Sequence, residues 1–151
     1  MVEGFGDRQT ADERNMAMPW IEWYDSLVKP SWTPPPSTIS LIWTMLYPLI
    51  LVSFGFVFVR AYKRKLPRLP ALPFAVNLAA NLLFMPIFAG LRNVPMAAVV
   101  ILIVWGTIIW CAVVAWPVYR WVAVAQVPYF VWVSTAAVIQ LSIVAMNWGK
   151  P

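Results

Sequence analysis

The residues best suited to chemistry in this 151-residue chain are aromatic and amide side chains at helical spacing. Trp43 and Tyr47 are four residues apart, and so are Asn77 and Asn81, so each pair lies on one face of a helix. Aromatic rings can stack on a flat apolar molecule, and a carboxamide can orient it by hydrogen bonds. Such residues also pack helices together, and for the two asparagines interhelical hydrogen bonding is an equally good interpretation.

Groups for acid–base, metal or covalent chemistry are scarce. All six acidic residues precede residue 26, histidine is absent, and Cys111 is the single cysteine. The apolar part of the chain therefore lacks the groups needed for a buried proton relay, for a His-ligated metal or for a multi-thiolate site. A single cysteine also cannot form an internal disulfide. An enzyme acting on tetrapyrroles or lipids is the least supported class, because the apolar part offers no general base and no nucleophile beyond Cys111 and hydroxyls.

The composition is that of an integral membrane protein. Apolar residues make up 62% of the chain and charged residues 11%, and the mean hydropathy is +0.72. Four uncharged runs are each long enough to cross about 30 Å of hydrocarbon as a helix. They cover residues 37–59, 71–91, 93–119 and 122–148. Because the runs are continuously apolar, helices are favoured over a barrel.

The predicted fold is thus an all-α transmembrane helix bundle with four spans, which occupies residues 37–148. Residues 1–36 form a polar tail and a Trp/Pro-rich loop without a long apolar run. Neither a signal peptide nor a span is therefore expected before residue 37.

Basic residues mark one side of the predicted bundle. Five cations follow the first span, whereas the later loops and the C-terminal end carry one each. The five are Arg60, Lys63, Arg64, Lys65 and Arg68. The positive-inside rule places residues 60–70 in the cytoplasm or an equivalent compartment, with both termini on the opposite face. The net charge of +5 then indicates a topology determinant in contact with anionic headgroups, and no nucleic-acid partner is expected.

Three stretches carry a resemblance to a known family. Residues 23–47 read WYDSLVKPSWTPPPSTISLIWTMLY, residues 77–90 read NLAANLLFMPIFAG, and residues 128–132 read PYFVW. The prolines hold the first stretch extended, and its tryptophans and tyrosine suit a membrane interface. Together the stretches resemble the TspO/MBR family, the tryptophan-rich sensory proteins and mitochondrial translocator proteins, over residues 22–148.

The resemblance implies a compact, often dimeric bundle with an apolar pocket under the Trp- and Pro-rich loop. Family members bind porphyrins, cholesterol-like lipids and synthetic aromatic ligands. With Tyr47 added for its place beside Trp43, the candidate ligand-binding residues are Trp23, Tyr24, Trp32, Trp43, Tyr47, Asn81, Phe84, Pro86, Trp132 and Ala136. No covalent cofactor is expected; the expected ligand is a porphyrin or other tetrapyrrole, or a lipid.

The chain also departs from the family pattern. Family members have five spans, and the first precedes the Trp-Tyr pair, where this chain has about twenty polar residues; we therefore expect one helix fewer. Leu141 stands where porphyrin-degrading bacterial members have tryptophan, so photochemical porphyrin breakdown is not expected.

A stripe of small residues predicts a helix-packing face. Ala71, Ala75 and Ala79 repeat every four residues, which lets a second helix approach closely. Family dimers use this helix, so the partner would be a second copy or a different protein. Two hypotheses follow: a receptor or carrier that binds a flat apolar ligand, or an accessory subunit of a larger membrane complex whose partner fills the vacant first-helix position.

Overall fold

A computed structural model describes residues 19–150. In this range the chain is all-α, as predicted, and contains no strand. Its helices are α1 (Pro19–Ser26), α2 (Pro36–Tyr62), α3 (Leu72–Met85), α4 (Val94–Ala115) and α5 (Arg120–Asn147). A 3-10 turn, Leu69–Ala71, precedes α3, and a π-helical turn, Pro86–Gly90, extends it.

The prediction of four spans is confirmed for the described residues. Four helical segments are long and apolar enough to cross a membrane, and they cover Pro36–Tyr62, Leu69–Gly90, Val94–Ala115 and Arg120–Asn147. The protein is therefore an integral membrane protein in contact with lipid. The assignment of residues 60–70 to the cytoplasmic face stays a prediction.

Several boundaries differ from the prediction, and the first span extends to Tyr62, three residues past its predicted end at residue 59. The third span ends at Ala115, not at residue 119, and a turn leads to α5, because Pro117 has no N–H with which to continue the helix. The region before residue 37 is not wholly extended, since α1 is a helix that begins with Pro19. Trp23 and Tyr24 therefore lie on a short helix and not in an extended loop. The polar tail and the expected loss of a family helix fall largely on residues 1–18, outside the described residues.

Helix α2 borders a cleft along its first half and contacts α3 and α5 through residues of its second half. Near its centre, Phe54 contacts Phe74 of α3 edge to face, with ring centroids 5.0 Å apart. Gln126 of α5 donates a 3.3 Å hydrogen bond to the Ser53 hydroxyl of α2. Helix α4 packs along both α3 and α5. This arrangement leaves a cleft beside the first half of α2.

Hydrogen bonds join the segment after α1 to the C-terminal end of α5. The Asn147 side chain donates to the Val28 carbonyl at 2.8 Å and accepts from the Val28 N–H at 3.0 Å. Lys29 Nζ donates to the Tyr24 carbonyl at 2.6 Å and lies 4.4 Å from the centre of the Tyr24 ring. Trp23 contacts Phe88 of the π-helical turn, with centroids 5.3 Å apart. These contacts fix α1 across one end of the cleft.

Candidate ligand-binding cleft

A cleft of about 410 Å³ lies between α2, α3 and α4, with α1 across its end. Its volume falls in the range of small-molecule sites in proteins. Most of its lining side chains are aromatic or aliphatic. They are Trp20, Tyr24, Pro36, Ile39, Ser40, Trp43, Thr44, Tyr47, Asn81, Phe84, Met85, Phe88, Ile101 and Val104.

Two stacked aromatic pairs line the cleft from different helices. On α2, Trp43 and Tyr47 stack with centroids 5.3 Å apart and an angle of 28° between their planes. On α3 and the π-helical turn, Phe84 and Phe88 stack at 5.6 Å with nearly parallel rings, 10° apart. Each pair is four residues apart, so helical spacing produces the stacking. The two pairs give the cleft flat apolar surfaces.

A buried polar network meets the cleft at Asn81. Asn77 Nδ2 donates to Thr107 Oγ1 at 2.9 Å and to the Val104 carbonyl at 3.1 Å, so its Oδ1 is left to accept. The Tyr129 hydroxyl donates to this Oδ1 at 3.0 Å and accepts from Asn81 Nδ2 at 2.7 Å. Asn81 Oδ1 has no hydrogen-bond partner among the described residues. The cleft therefore presents a free acceptor.

The two asparagines thus have different surroundings. Asn77 is fully buried and bonds to α4 and α5, which is the interhelical role. Asn81 is half-buried, bonds to α5 and also lines the cleft. Asn77 therefore has the interhelical role, whereas Asn81 combines an interhelical hydrogen bond with a place in the cleft lining, and its contact with a ligand stays a prediction.

The end of the cleft is formed by α1. Trp20 and Tyr24 line it, and their rings meet edge to face with centroids 6.2 Å apart. Burial raises the pKa of Tyr24 above its ordinary value, and the neighbouring Asp25 carboxylate raises it further. The Tyr24 phenol is therefore neutral throughout the physiological pH range.

Five of the ten candidate residues line the cleft: Tyr24, Trp43, Tyr47, Asn81 and Phe84. The other five do not. Trp23 packs behind it on Phe88, and Trp32 lies in the following loop with 53% of its surface exposed. Pro86 begins the π-helical turn, whose Leu91 N–H donates to the Pro86 carbonyl at 2.9 Å.

The remaining two, Trp132 and Ala136, are on α5 and pack against the main core cluster. They lie outside the lining because Ile101 and Val104 of α4 form the floor there. Trp132 Nε1 is buried and has no hydrogen-bond partner in the described part of the chain.

Sequence reasoning missed nine lining residues. Pro36, Ile39, Ser40 and Thr44 share the face of Trp43 and Tyr47 at three- and four-residue spacing, a signal that could have found them. Trp20 comes from the short α1, which carries too little periodicity to be predicted, whereas Phe88 follows Phe84 by four residues, a spacing that could have found it. Met85, Ile101 and Val104 look like ordinary apolar helix residues in the sequence.

The small-residue stripe is divided in the structure. Ala71 belongs to the 3-10 turn before α3 and is buried, whereas Ala75 and Ala79 are exposed one turn apart on α3. Only these two alanines are open to another helix. Metal ligands are not brought together either, since the described residues contain no group of three His, Cys, Asp or Glu side chains.

Comparison with known proteins agrees with the resemblance seen in the sequence. The model of the TspO/MBR family matches residues 3–146. Protein CrtK of Rhodobacter capsulatus is 39% identical over 83 residues, which are 55% of this chain and 52% of that protein. The tryptophan-rich sensory protein of Cereibacter sphaeroides is 36% identical over 84 residues, 56% of this chain and 51% of that protein.

A shorter and more similar stretch is shared with a third protein. The tryptophan-rich protein TspO of Bacillus cereus is 53% identical over 36 residues, 24% of each chain. The aligned part of the chain thus spans about half the length, or less, of these curated relatives. Because the family model covers nearly the whole sequence, the chain belongs to the TspO/MBR family.

Proposed function

We propose that this protein is a membrane receptor or carrier that holds a flat apolar ligand, a tetrapyrrole or a related lipid, in the cleft. The observation that carries the proposal is the meeting of two stacked aromatic pairs with one free amide acceptor. The pairs are Trp43 with Tyr47 and Phe84 with Phe88, and the acceptor is Asn81 Oδ1. Flat rings stack on such surfaces, and one polar group suffices to orient them.

Burial of apolar surface supplies the affinity in this proposal. Each Å² of apolar ligand surface removed from water contributes about 25 cal/mol, and each well-formed aromatic contact about 0.5–1.5 kcal/mol more. The lining residues include no Asp, Glu, Lys, Arg or His, so shape and the Asn81 acceptor determine which ligand binds.

The side of the cleft suits a ligand that arrives from the bilayer. Tyr47 of α2 and Met85 of α3 line it and are both about half exposed. Both residues lie within membrane-spanning helices, so their exposed surface faces lipid. A molecule dissolved in the hydrocarbon can therefore enter between α2 and α3 without crossing water.

We place no chemical step in the cleft. Its hydroxyl groups come from Ser40, Thr44 and the two tyrosines, and the Thr44 hydroxyl already donates a hydrogen bond to the Ser40 carbonyl at 2.8 Å. None of the lining groups is a base that could activate a hydroxyl. The cleft is suited to holding a ligand and not to converting it.

Binding of protoporphyrin IX to the protein in lipid nanodiscs tests the proposal. The dissociation constant is measured from the shift of the porphyrin absorption band, for the wild type, for Trp43→Ala and for Trp110→Ala. Trp110 is a partly exposed tryptophan of α4 outside the cleft, so its variant controls for the loss of an indole. We expect at least tenfold weaker binding for Trp43→Ala and less than a twofold change for Trp110→Ala. Equal effects, with both proteins folded by circular dichroism, contradict the site.

A second candidate function is that of an accessory subunit in a larger membrane complex. The open side between α2 and α3 and the exposed Ala75 and Ala79 on α3 favour it, because a partner helix can approach small residues closely. Purification from native membranes in mild detergent, followed by mass spectrometry and absorption spectroscopy, separates the two functions. Stoichiometric partner chains support the subunit role, whereas a small species that carries a pigment supports the receptor role.

A further inference from the structure

One end of the bundle concentrates positive charge without compensation. It is formed by the last turns of α2 and α4 and the first turns of α3 and α5, and it carries Arg60, Lys63, Arg64, Lys65, Arg68 and Arg120. Every acidic residue of the chain precedes residue 26, and the two described ones, Glu22 and Asp25, lie on α1 at the opposite end. Six cations therefore share this end with no described acid.

Three of these cations surround a depression in the surface. Arg64, Lys65 and Arg68, with Ala61, Leu66 and Pro67, line a space of about 420 Å³, which we call the basic depression. Its backbone is fixed, because the Lys65 N–H donates to the Arg60 carbonyl at 3.0 Å and the Arg64 N–H to the Ala61 carbonyl at 3.2 Å. This pair of bonds is the Schellman ending of a helix. Leu66 is buried and anchors the turn.

Arg64 occupies a backbone position that favours glycine. Its φ is +55°, in the left-handed region, where a side chain costs stability. The Schellman ending usually has glycine at this position. An arginine at a strained position inside a basic depression points to a role for its guanidinium group.

Two arginines at this end of the bundle lie over aromatic rings. Arg60 Cζ lies 5.0 Å from the centre of the Phe56 ring and 5.8 Å from that of Tyr119. Arg120 Cζ lies 5.5 Å from the Trp116 ring. A contact with an aromatic ring positions the planar, delocalised guanidinium and leaves its N–H groups available to a phosphate. Tyrosine and tryptophan are typical of the membrane interface, so their contacts favour a position of these arginines near the lipid phosphates.

We propose that the basic depression, with Arg60 beside it, binds the phosphate of an anionic phospholipid headgroup such as phosphatidylglycerol. A lipid fits better than a free anion because apolar side chains flank the depression. Tyr62 before it is 88% exposed and Leu69 after it is 74% exposed, so apolar surface lies on both sides of the depression. The site is separate from the cleft, and neither proposal depends on the other.

Native mass spectrometry of the full chain in mild detergent tests this site. Dioleoylphosphatidylglycerol and dioleoylphosphatidylcholine are titrated separately, and the ratio of their dissociation constants is the readout. We expect tighter binding of the anionic lipid to the wild type. Removing one cation should weaken that binding about fivefold, and the triple change Arg64→Gln, Lys65→Gln and Arg68→Gln should abolish the preference.

The chain offers a matched control for Arg64. Arg92 also has a left-handed backbone, with φ +51°, but it follows the π-helical turn at the opposite end of the bundle. Arg64→Gly and Arg92→Gly each relieve strain and remove one positive charge, so neither should lower the melting temperature. Only Arg64→Gly should weaken binding of phosphatidylglycerol.

Three outcomes overturn the proposal. The first is a wild type that binds both lipids equally, and the second is an equal loss in the two glycine variants. The third is that 10 mM inorganic phosphate or glycerol 3-phosphate displaces the lipid, which would identify a site for small anions. The proposal is supported if the preference for phosphatidylglycerol is weakened in Arg64→Gly, is retained in Arg92→Gly and is not changed by free phosphate.

Discussion

Asn81 Nδ2 donates a 2.7 Å hydrogen bond to the Tyr129 hydroxyl, which joins the wall of the cleft to the buried core of the bundle. The direction of this bond follows from the other hydrogen bond of the Tyr129 hydroxyl, because that hydroxyl donates its proton to Asn77 Oδ1 at 3.0 Å. Asn77 Nδ2 donates in turn to Thr107 Oγ1 and to the Val104 carbonyl, which leaves Asn77 Oδ1 as the acceptor. A chain of hydrogen bonds between α3, α4 and α5 thus decides which atom of Asn81 is left for a ligand.

Removal of the Tyr129 hydroxyl should therefore affect stability and binding together. Tyr129→Phe keeps the buried ring but breaks two interhelical hydrogen bonds, so we expect a loss of about 1 kcal/mol in stability. Asn81 would also lose its fixed orientation. Thermal unfolding in detergent and ligand titration measure the two effects.

Tyr119→Phe is the matched control for that change. Tyr119 also packs against an aromatic ring, Phe56, at 4.9 Å, but its hydroxyl makes no hydrogen bond among the described residues. Equal melting temperatures for the two variants would show that the network contributes nothing measurable.

Asn81 itself should determine the polarity of the ligand. Because its free atom is an acceptor, the wild type should prefer a ligand that donates an N–H or O–H over its methylated analogue. The preference expected for one hydrogen bond is about two- to tenfold. Asn81→Leu should remove this preference while leaving most of the apolar affinity, and binding of haematoporphyrin, which carries peripheral hydroxyl groups, and of its O-methyl ether measures it. A preference that survives in Asn81→Leu argues that another group contacts the polar edge.

One substitution can break the hydrogen bonds that join α5 to the segment after α1. Asn147→Ala removes both hydrogen bonds to Val28, so α1 should open more often and a bound ligand should leave faster. We expect faster hydrogen exchange in residues 20–28 and an increase of several-fold in the dissociation rate. Ser142→Ala is the control, because the Ser142 hydroxyl donates only to the Val138 carbonyl on its own helix. Unchanged exchange in Asn147→Ala would mean that Trp23 and Tyr24 hold α1 without it.

The sequence predicted the parts of the fold that depend on long local patterns. Uncharged runs located the four spans, and the spacing of Trp43 and Tyr47 placed their rings together. Helix α1 was missed because eight residues with an N-terminal proline carry too little apolar periodicity to be told from a loop. The end of the third span was placed late because apolarity continues to Tyr119, whereas the helix ends at Ala115, two residues before Pro117.

The rest of the site depends on packing between distant helices. Trp132 and Ala136 were expected in the cleft by resemblance, but whether α4 or α5 forms its floor is decided by how the helices cross. The free acceptor of Asn81 depends on Tyr129, which is 48 residues away in the chain. The strain at Arg64 arises from the backbone of a turn and has no sequence signature, since glycine is the expected residue there.

The alanine stripe gives a prediction that separates folding from association. Ala71 is buried, so Ala71→Leu should overpack the 3-10 turn and cost about 1–3 kcal/mol of stability. Ala75 is exposed on α3, so Ala75→Leu should leave the melting temperature unchanged and prevent close approach of a second helix.

Ala145→Leu, an exposed alanine on α5, controls for added apolar surface. Analytical ultracentrifugation in detergent gives the oligomeric state of each variant. If copies of this chain associate through α3, Ala75→Leu should shift the protein toward the monomer while Ala145→Leu should not. The same oligomeric state in both variants would remove α3 as the surface between copies and leave it to lipid or to a different partner.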